Sequence, residues 1–261
     1  MHGALYRDSG CVALAEVRSI YIRDLVPPGF APLANSDAAR GDPEAEAEAY
    51  AALEAFADAF PALVVNRPAA SSSNGSKPYQ QQCIARHGFR TPRTLVTTVP
   101  EQARQFYDIC QERVIYKSIS HQRSIVRMMA LEDVSRLAQV SHCPTQFQAY
   151  VPGTDIRVHT VGRRVFATEI ITDAIDYRYA GREGARRQMR AVELPEDVAA
   201  RCLQLADGLG LVLSGIDLRR DVQGEYYCFE VNPSPVFTFY QAHTQQRIGE
   251  ALVDLLCRGV L

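Results

Sequence analysis

Short apolar runs alternate with amphipathic stretches along this chain, and that alternation predicts most of its elements. Residues 17–25 (VRSIYIRDL) have the β-branched and aromatic content of a strand, and a Pro- and Gly-rich loop follows. Tyr50, Leu53, Ala57 and Phe60 then recur at helical spacing behind Asp42, an N-cap residue, and Pro43 at the first helical position, which predicts a helix over 43–60. A short buried strand is expected at 62–66, and the Ser- and Gly-rich stretch after it gives way to a helix over 78–87 that Gly88 closes. Next come a strand over 91–98, a helix over 101–113, a strand over 114–117, a loop over 118–130 and a strand over 147–151. The second half predicts a hairpin over 155–170 turning near Gly162, an Arg-rich loop over 181–190, a helix over 196–207, a second hairpin and a terminal helix over 243–257. Mixed strands and helices with hairpins late in the chain make the class α+β with at least two lobes, and no internal repeat is visible.

The last strand of the second hairpin, YYCFEVN at 226–232, carries polar residues that a buried strand does not need. Strict alternation sends Phe229 and Val231 to one face and Cys228, Glu230 and Asn232 to the other, and Pro233 and Pro235 end the strand. A hairpin loop with an even number of residues places Asp217, on the preceding strand 214–220, opposite residue 228 or 230. Asp217, Glu230 and Asn232 then form a set of two carboxylates and one amide oxygen, the donor chemistry of a hard cation such as Mg²⁺. A slip of one residue would send Asp217 to the other face, and a solvated edge strand is the plain alternative.

Composition adds few bounds. The net charge of −2 makes no electrostatic case for a nucleic acid or a membrane surface as partner. No apolar run reaches bilayer length, the N-terminus has no signal pattern, and the seven scattered cysteines form neither a disulfide frame nor a zinc motif, so a reducing cytoplasm is expected. One detail is sharper. Of the 28 basic residues only Lys77 and Lys117 are lysines. A chain that uses arginine for general surface charge has kept lysine at two places, where a compact ammonium suits a phosphate.

In combination, these residues carry a family resemblance. A strand ending in lysine (VIYK), a strand followed by Gly-x-Asp-Ile-Arg (FQAYVPGTDIRV) and a late hairpin running from Gly-Ile-Asp to Glu-Val-Asn-Pro resemble the ATP-grasp superfamily. The nearest branch is that of the ribosomal-protein-S6 modification ligases and of enzymes that cross-link ribosomal peptides such as microviridins. The resemblance spans roughly residues 62–250. It implies two β-lobes with helices clasping ATP: an N-lobe over 77–146 and a C-lobe over 147–261, preceded by a shortened α/β domain over 1–76 that is similar to the end of the N-terminal domain of the cross-linking group.

By the same resemblance Lys77 and Lys117 bind the phosphates of ATP, the hinge Gln148, Ala149, Tyr150 and Val151 receives adenine through its backbone, and Asp155 accepts the ribose hydroxyls. Arg157 and Arg178 neutralise the phosphoryl group in flight, and Asp217, Glu230 and Asn232 hold one or two Mg²⁺ ions. Two positions depart from the pattern. The loop after Lys117, SISHQRSIVRMM, lacks glycine, which leaves His121, Arg123 and Arg127 as candidates for charge there, and Ala180 stands where relatives often have asparagine. The implied reaction is ATP-dependent ligation of a carboxylate to an amine or hydroxyl through an acylphosphate. An acidic peptide, met by the Arg-rich stretch 181–190, or a small carboxylate is the expected substrate. Addition of a free amino acid and a non-catalytic ATP-binding partner are the alternatives. A shortened first domain exposes a sheet edge, which a homodimer would cover.

Overall fold

The structure is a computed structural model that describes residues 3–7, 10–23, 42–119, 126–172 and 187–260. The chain opens with β1 (Ala4–Arg7) and β2 (Gly10–Ala13), an antiparallel pair that the sequence pattern did not predict. β3 (Ser19–Tyr21) follows, then α1 (Pro43–Ala59) and β4 (Leu63–Val65), which pairs with β3 in parallel. The Asp42 side chain accepts the Glu44 N–H at 3.0 Å, so the start of α1 is capped as expected. Ala57 on α1 and Phe60 just past its end are buried against Val64, whereas Leu53, expected on that face, is exposed.

After the short α2 (Pro68–Ser71) and α3 (Lys77–Arg86), the chain builds a four-stranded antiparallel sheet. Its strands are β5 (Thr94–Thr97), β6 (Val114–Ser118), β7 (Arg127–Met128) and β8 (Thr145–Ala149), ordered β5-β8-β6-β7, with α4 (Pro100–Ile109) and the single-turn α5 (Leu131–Ser135) in the connections. Val114 and Phe147 face α4, where they bury Ala103, Phe106 and Tyr107. The opposite face carries Lys117 opposite Gln146 and Ile115 opposite Gln148. Because β8 belongs to this sheet, the chain crosses to the second lobe after Ala149, slightly later than the expected boundary at 146/147.

The second lobe is a five-stranded antiparallel sheet ordered β11-β10-β9-β12-β13. It comprises β9 (Gly153–Val161), β10 (Arg164–Thr172), β11 (Arg187–Val192), β12 (Leu213–Asp221) and β13 (Tyr226–Asn232). β11 occupies part of the stretch expected to be an Arg-rich loop. α6 (Glu196–Gly208) and α3 cover one face, burying Ile84, Ile156, Val158, Leu205, Ile216 and Leu218. Each such aliphatic side chain contributes about 1.5–3 kcal/mol. α3 therefore packs on the second lobe, although it precedes the first lobe in sequence. On the opposite face lie α7 (Thr238–Thr244) and α8 (Ile248–Arg258), which replace the single terminal helix expected. The break between them falls at Gln245, whose φ of 57° is left-handed. Among the described residues no helix is long and apolar enough to cross a membrane.

Candidate active site

The hairpin β12–β13 is built around one irregularity. At its tip Arg220 pairs with Tyr226 and Leu218 with Cys228, a register that would set Asp217 against Phe229. A β-bulge between Asp217 and Leu218 inserts one residue into β13, and Asp217 pairs with Glu230 instead. The turn is thus odd in length, contrary to the even loop expected, and the bulge restores the expected pairing. It also overturns the strict alternation read from the sequence. Cys228 and Val231 both lie in the core, Glu230 faces the other side, and the Phe229 ring lies under Arg219.

On the face opposite α3 and α6, a cleft of about 450 Å³ is lined by Arg157, Asp217, Glu230, Asn232, Arg187 and residues of α7. Asp217 is flanked by Glu230 on β13 and by Arg157 on β9. Two carboxylates directly opposite in an antiparallel pair have Cβ atoms about 5 Å apart and repel. Arg157 partly answers that charge by donating from Nη1 to Asp217 Oδ1 at 2.7 Å, and its guanidinium lies 5.6 Å from the Tyr240 ring centroid. Asn232 Oδ1 accepts the Ser234 N–H at 2.9 Å, which fixes the side chain in a turn and leaves a lone pair. Among the described residues no three His, Cys, Asp or Glu side chains converge. The set that does converge, two carboxylates and an amide, fits a hard cation that keeps part of its water shell, as Mg²⁺ does.

Gly215 was not singled out in the sequence, yet the guanidinium of Arg157 rests on it. A Cβ there would overlap Arg157 and lie 2.6 Å from Pro235 Cβ. Behind Arg157, His159 is fully buried with its ring edge-on to Tyr240 at 4.9 Å. Burial, reinforced by the Arg157 guanidinium, pushes its pKa from 6.5 down to about 3. The unfolded chain takes up this proton below about pH 6.5 while the folded protein refuses it, so stability is full above that pH and falls towards pH 3. From about pH 6.5 to about pH 5, His159 is expected to cost about 2 kcal/mol. Urea melts of the wild type and His159→Phe at both pH values check this, and the variant should lack that part of the loss.

The two lysines converge. Lys77, at the start of α3, donates from Nζ to the backbone carbonyl of Ser118 at 3.4 Å, next to Lys117 at the end of β6. Both are largely buried. At the hinge, Ala149 N–H donates to Arg93 O at 2.9 Å and Tyr150 N–H to Arg113 O at 2.8 Å, so among the described residues the Val151 N–H is the hinge donor left for a base. The Gln148 side chain is fully buried with Oε1 unpaired. Arg219 locks the hinge from below. It engages Asp155 with two bonds of 2.7 and 2.9 Å, donates to Val151 O at 2.9 Å and lies over the Tyr150 ring. Both Asp155 oxygens are thus shared with Arg219, and a ribose hydroxyl would use a remaining lone pair. Arg178, His121 and Arg123 lie outside the described residues, as does the Arg-rich stretch before Arg187. Arg127 sits in β7, and Arg187 lies over the Phe239 ring at 4.6 Å.

The RimK-like ATP-grasp domain family matches residues 75–256. No protein of curated function matches the chain. Among solved structures, the ATP-grasp ligase PsnB, complexed with a phosphomimetic variant of its minimal precursor, Mg and ADP, is 28% identical at a TM-score of 0.80, over 93% of this chain and 79% of that one. The macrocyclase MdnC from Microcystis aeruginosa, bound to its precursor peptide MdnA, is 21% identical at a TM-score of 0.81, over 98% and 83% of the two chains. A ligase from Chryseobacterium gregarium associated with ribosomal peptides, in complex with ADP and a leader and core peptide, is 23% identical at a TM-score of 0.79, over 100% and 85%.

Proposed function

Because this chain belongs to the RimK-like ATP-grasp family, we propose that it is an ATP-dependent ligase that closes amide or ester bonds within a ribosomally made peptide. The observation that carries this reading is the pairing of Asp217 with Glu230 beside Arg157 and Asn232 in an open cleft. Such a cluster is repulsive in itself and becomes favourable around a divalent cation complexed with a triphosphate. PsnB, a neighbour above 25% identity, is a ligase solved with precursor, Mg and ADP, which supports the same cofactors here.

In this reading Lys77 and Lys117 hold the phosphates, Val151 and Gln148 meet adenine, and Asp155 meets ribose. Asp217, Glu230 and Asn232 would hold Mg²⁺, which supplies charge neutralisation along the triphosphate. Arg157 would neutralise the transferred phosphoryl group, a role proposed also for Arg178, which lies outside the described residues. A peptide carboxylate oxygen attacks the γ-phosphorus and ADP departs. An amine or hydroxyl of the peptide then attacks the acyl carbon, phosphate leaves and the nucleophile's proton passes to solvent. The chain's contribution is orientation and charge placement, the two terms that phosphoryl transfer needs most. Arg187, at the cleft, offers a cation to the carboxylate of the acyl donor. A cytoplasmic, homodimeric enzyme is part of the proposal, and size-exclusion chromatography tests the dimer.

The deciding experiment is the intact mass of an acidic peptide encoded beside this protein, after incubation with Mg²⁺ and ATP. Loss of one or more waters supports the proposal. An unchanged mass with ATP intact defeats it, and a gain equal to an amino-acid residue favours amino-acid addition. At a hundred times its dissociation constant, Mg-ATP should also stabilise the wild type by about 2.7 kcal/mol in a thermal melt. Lys117→Ala should lose most of that shift, and an undiminished shift removes Lys117 from the phosphate site.

A further inference from the structure

Two buried carboxamides grip the backbone that carries the cation-binding residues. β13 is an edge strand, so at Val231 no further strand supplies hydrogen-bond partners. Gln80, one turn beyond Lys77 on α3 and only 2% exposed, supplies them. Its Nε2 donates to Val231 O at 2.8 Å and its Oε1 accepts Val231 N–H at 2.9 Å. Val231 lies between Glu230 and Asn232. On the other side Asn66, 6% exposed, donates from Nδ2 to Pro233 O and Leu213 O at 2.6 Å each. Its Oδ1 accepts the N–H groups of Val212 at 2.7 Å and Leu213 at 3.0 Å.

We propose that Gln80 and Asn66 are positioning residues for phosphoryl transfer, setting Glu230 and Asn232 at a fixed height relative to Lys77. The inference rests on the reading above, in which those residues hold Mg²⁺ and Lys77 holds phosphate. Lys77 and Gln80 stand one turn apart on the same helix, so the bonds that tie Gln80 to Val231 also tie the lysine that reaches Ser118 to the cation strand. Only a carboxamide offers donor and acceptor side by side as these backbone groups require, and a carboxylate would set an oxygen against Val231 O or Pro233 O. Asn66 precedes the matched span 75–256, so the N-terminal segment takes part in the site.

The test is titration calorimetry of a non-hydrolysable ATP analogue across a range of Mg²⁺ concentrations, for the wild type, Gln80→Glu, Gln80→Met, Asn66→Asp and Glu230→Gln. Gln80→Glu and Asn66→Asp are expected to raise the Mg²⁺ concentration for half-maximal binding by about tenfold or more, as loss of outer-shell support does at metal sites. Binding without Mg²⁺ should change by less than about threefold, whereas simple loss of structure would weaken both alike. Gln80→Met keeps the volume and loses the bonds, and carries the test if the charged variant fails to fold. A Mg²⁺ response within about twofold of wild type in folded variants overturns the proposal. If Glu230→Gln also responds as wild type, the cation assignment falls and takes this inference with it. If Glu230→Gln loses its response while the Gln80 and Asn66 variants keep theirs, this inference alone fails.

Discussion

Replacing Glu230 by glutamine is expected to lower Mg²⁺-dependent ligase turnover on the order of 10²–10³-fold and to leave the protein no less stable. The two effects have opposite origins. Catalytically, the substitution removes one of the two carboxylates in the cleft, and among the described residues no third carboxylate, cysteine or histidine stands close enough to replace it. Charge aimed at a developing phosphoryl transition state is worth several kcal/mol in such a site. Thermodynamically, the same change relieves like-charge repulsion between directly paired strand residues, a gain of about 0.2–1 kcal/mol in the absence of cation. Release of ADP measures the first effect and a metal-free thermal melt the second. A variant that turns over within a few-fold of wild type would remove Glu230 from the site, and a markedly lower melting temperature would mean that its role is structural.

Gly215→Ala should be nearly as damaging for a different reason. The added methyl lands on the guanidinium of Arg157 and 2.6 Å from Pro235 Cβ, so both contacts must be relieved, most of it by the side chain that can swing. Pro235 is ring-constrained and belongs to the turn that Asn66 anchors at Pro233. Arg157 gives way, and its bond to Asp217 is lost or bent. Displacing a charge-bearing group by about 1 Å costs roughly 10²-fold in rate, and overpacking at a closed site costs about 1–3 kcal/mol in stability. Turnover and the denaturant midpoint are measured together. Unchanged kinetics with normal stability would show that Arg157 need not lie where it does.

The motifs with fixed local chemistry were legible in the sequence: the two lysines, the strand before Gly153, and the Asp217 and Glu230 pair. The lysines follow from strand and helix ends, which sequence spacing encodes, whereas the acidic pair was expected from an even turn and arises instead from an odd turn and a bulge. Other features depend on contacts between distant segments. Gly215 reads as an ordinary strand glycine until Arg157 is seen to cross it. Arg219 reads as surface charge, although it sits under the hinge, because its partners Asp155 and Val151 come from another strand and the loop before it. β11 escaped because its Arg-Gln-Met-Arg-Ala-Val run is half-exposed and supplies few of the apolar positions that mark a strand. The break at Gln245 has no glycine or proline to announce it.

The bulge at Asp217 has a bearing on how this hairpin tolerates changes of length. An odd turn and one extra strand residue cancel beyond the irregularity, so the pairing of Asp217 with Glu230 depends on the sum of two local lengths. Trimming one residue from the turn would let the whole hairpin zip in a single register, and the acidic pair would survive. The inward positions nearer the turn would not, because Phe229 would be driven against Leu218 and towards Cys202, in the volume that the small, fully buried Cys228 fills. The exposed turn 222–224 is therefore coupled to the packing of the core. An insertion or deletion in it is a repacking event, and homologous hairpins should change their turn length and their strand length together or not at all.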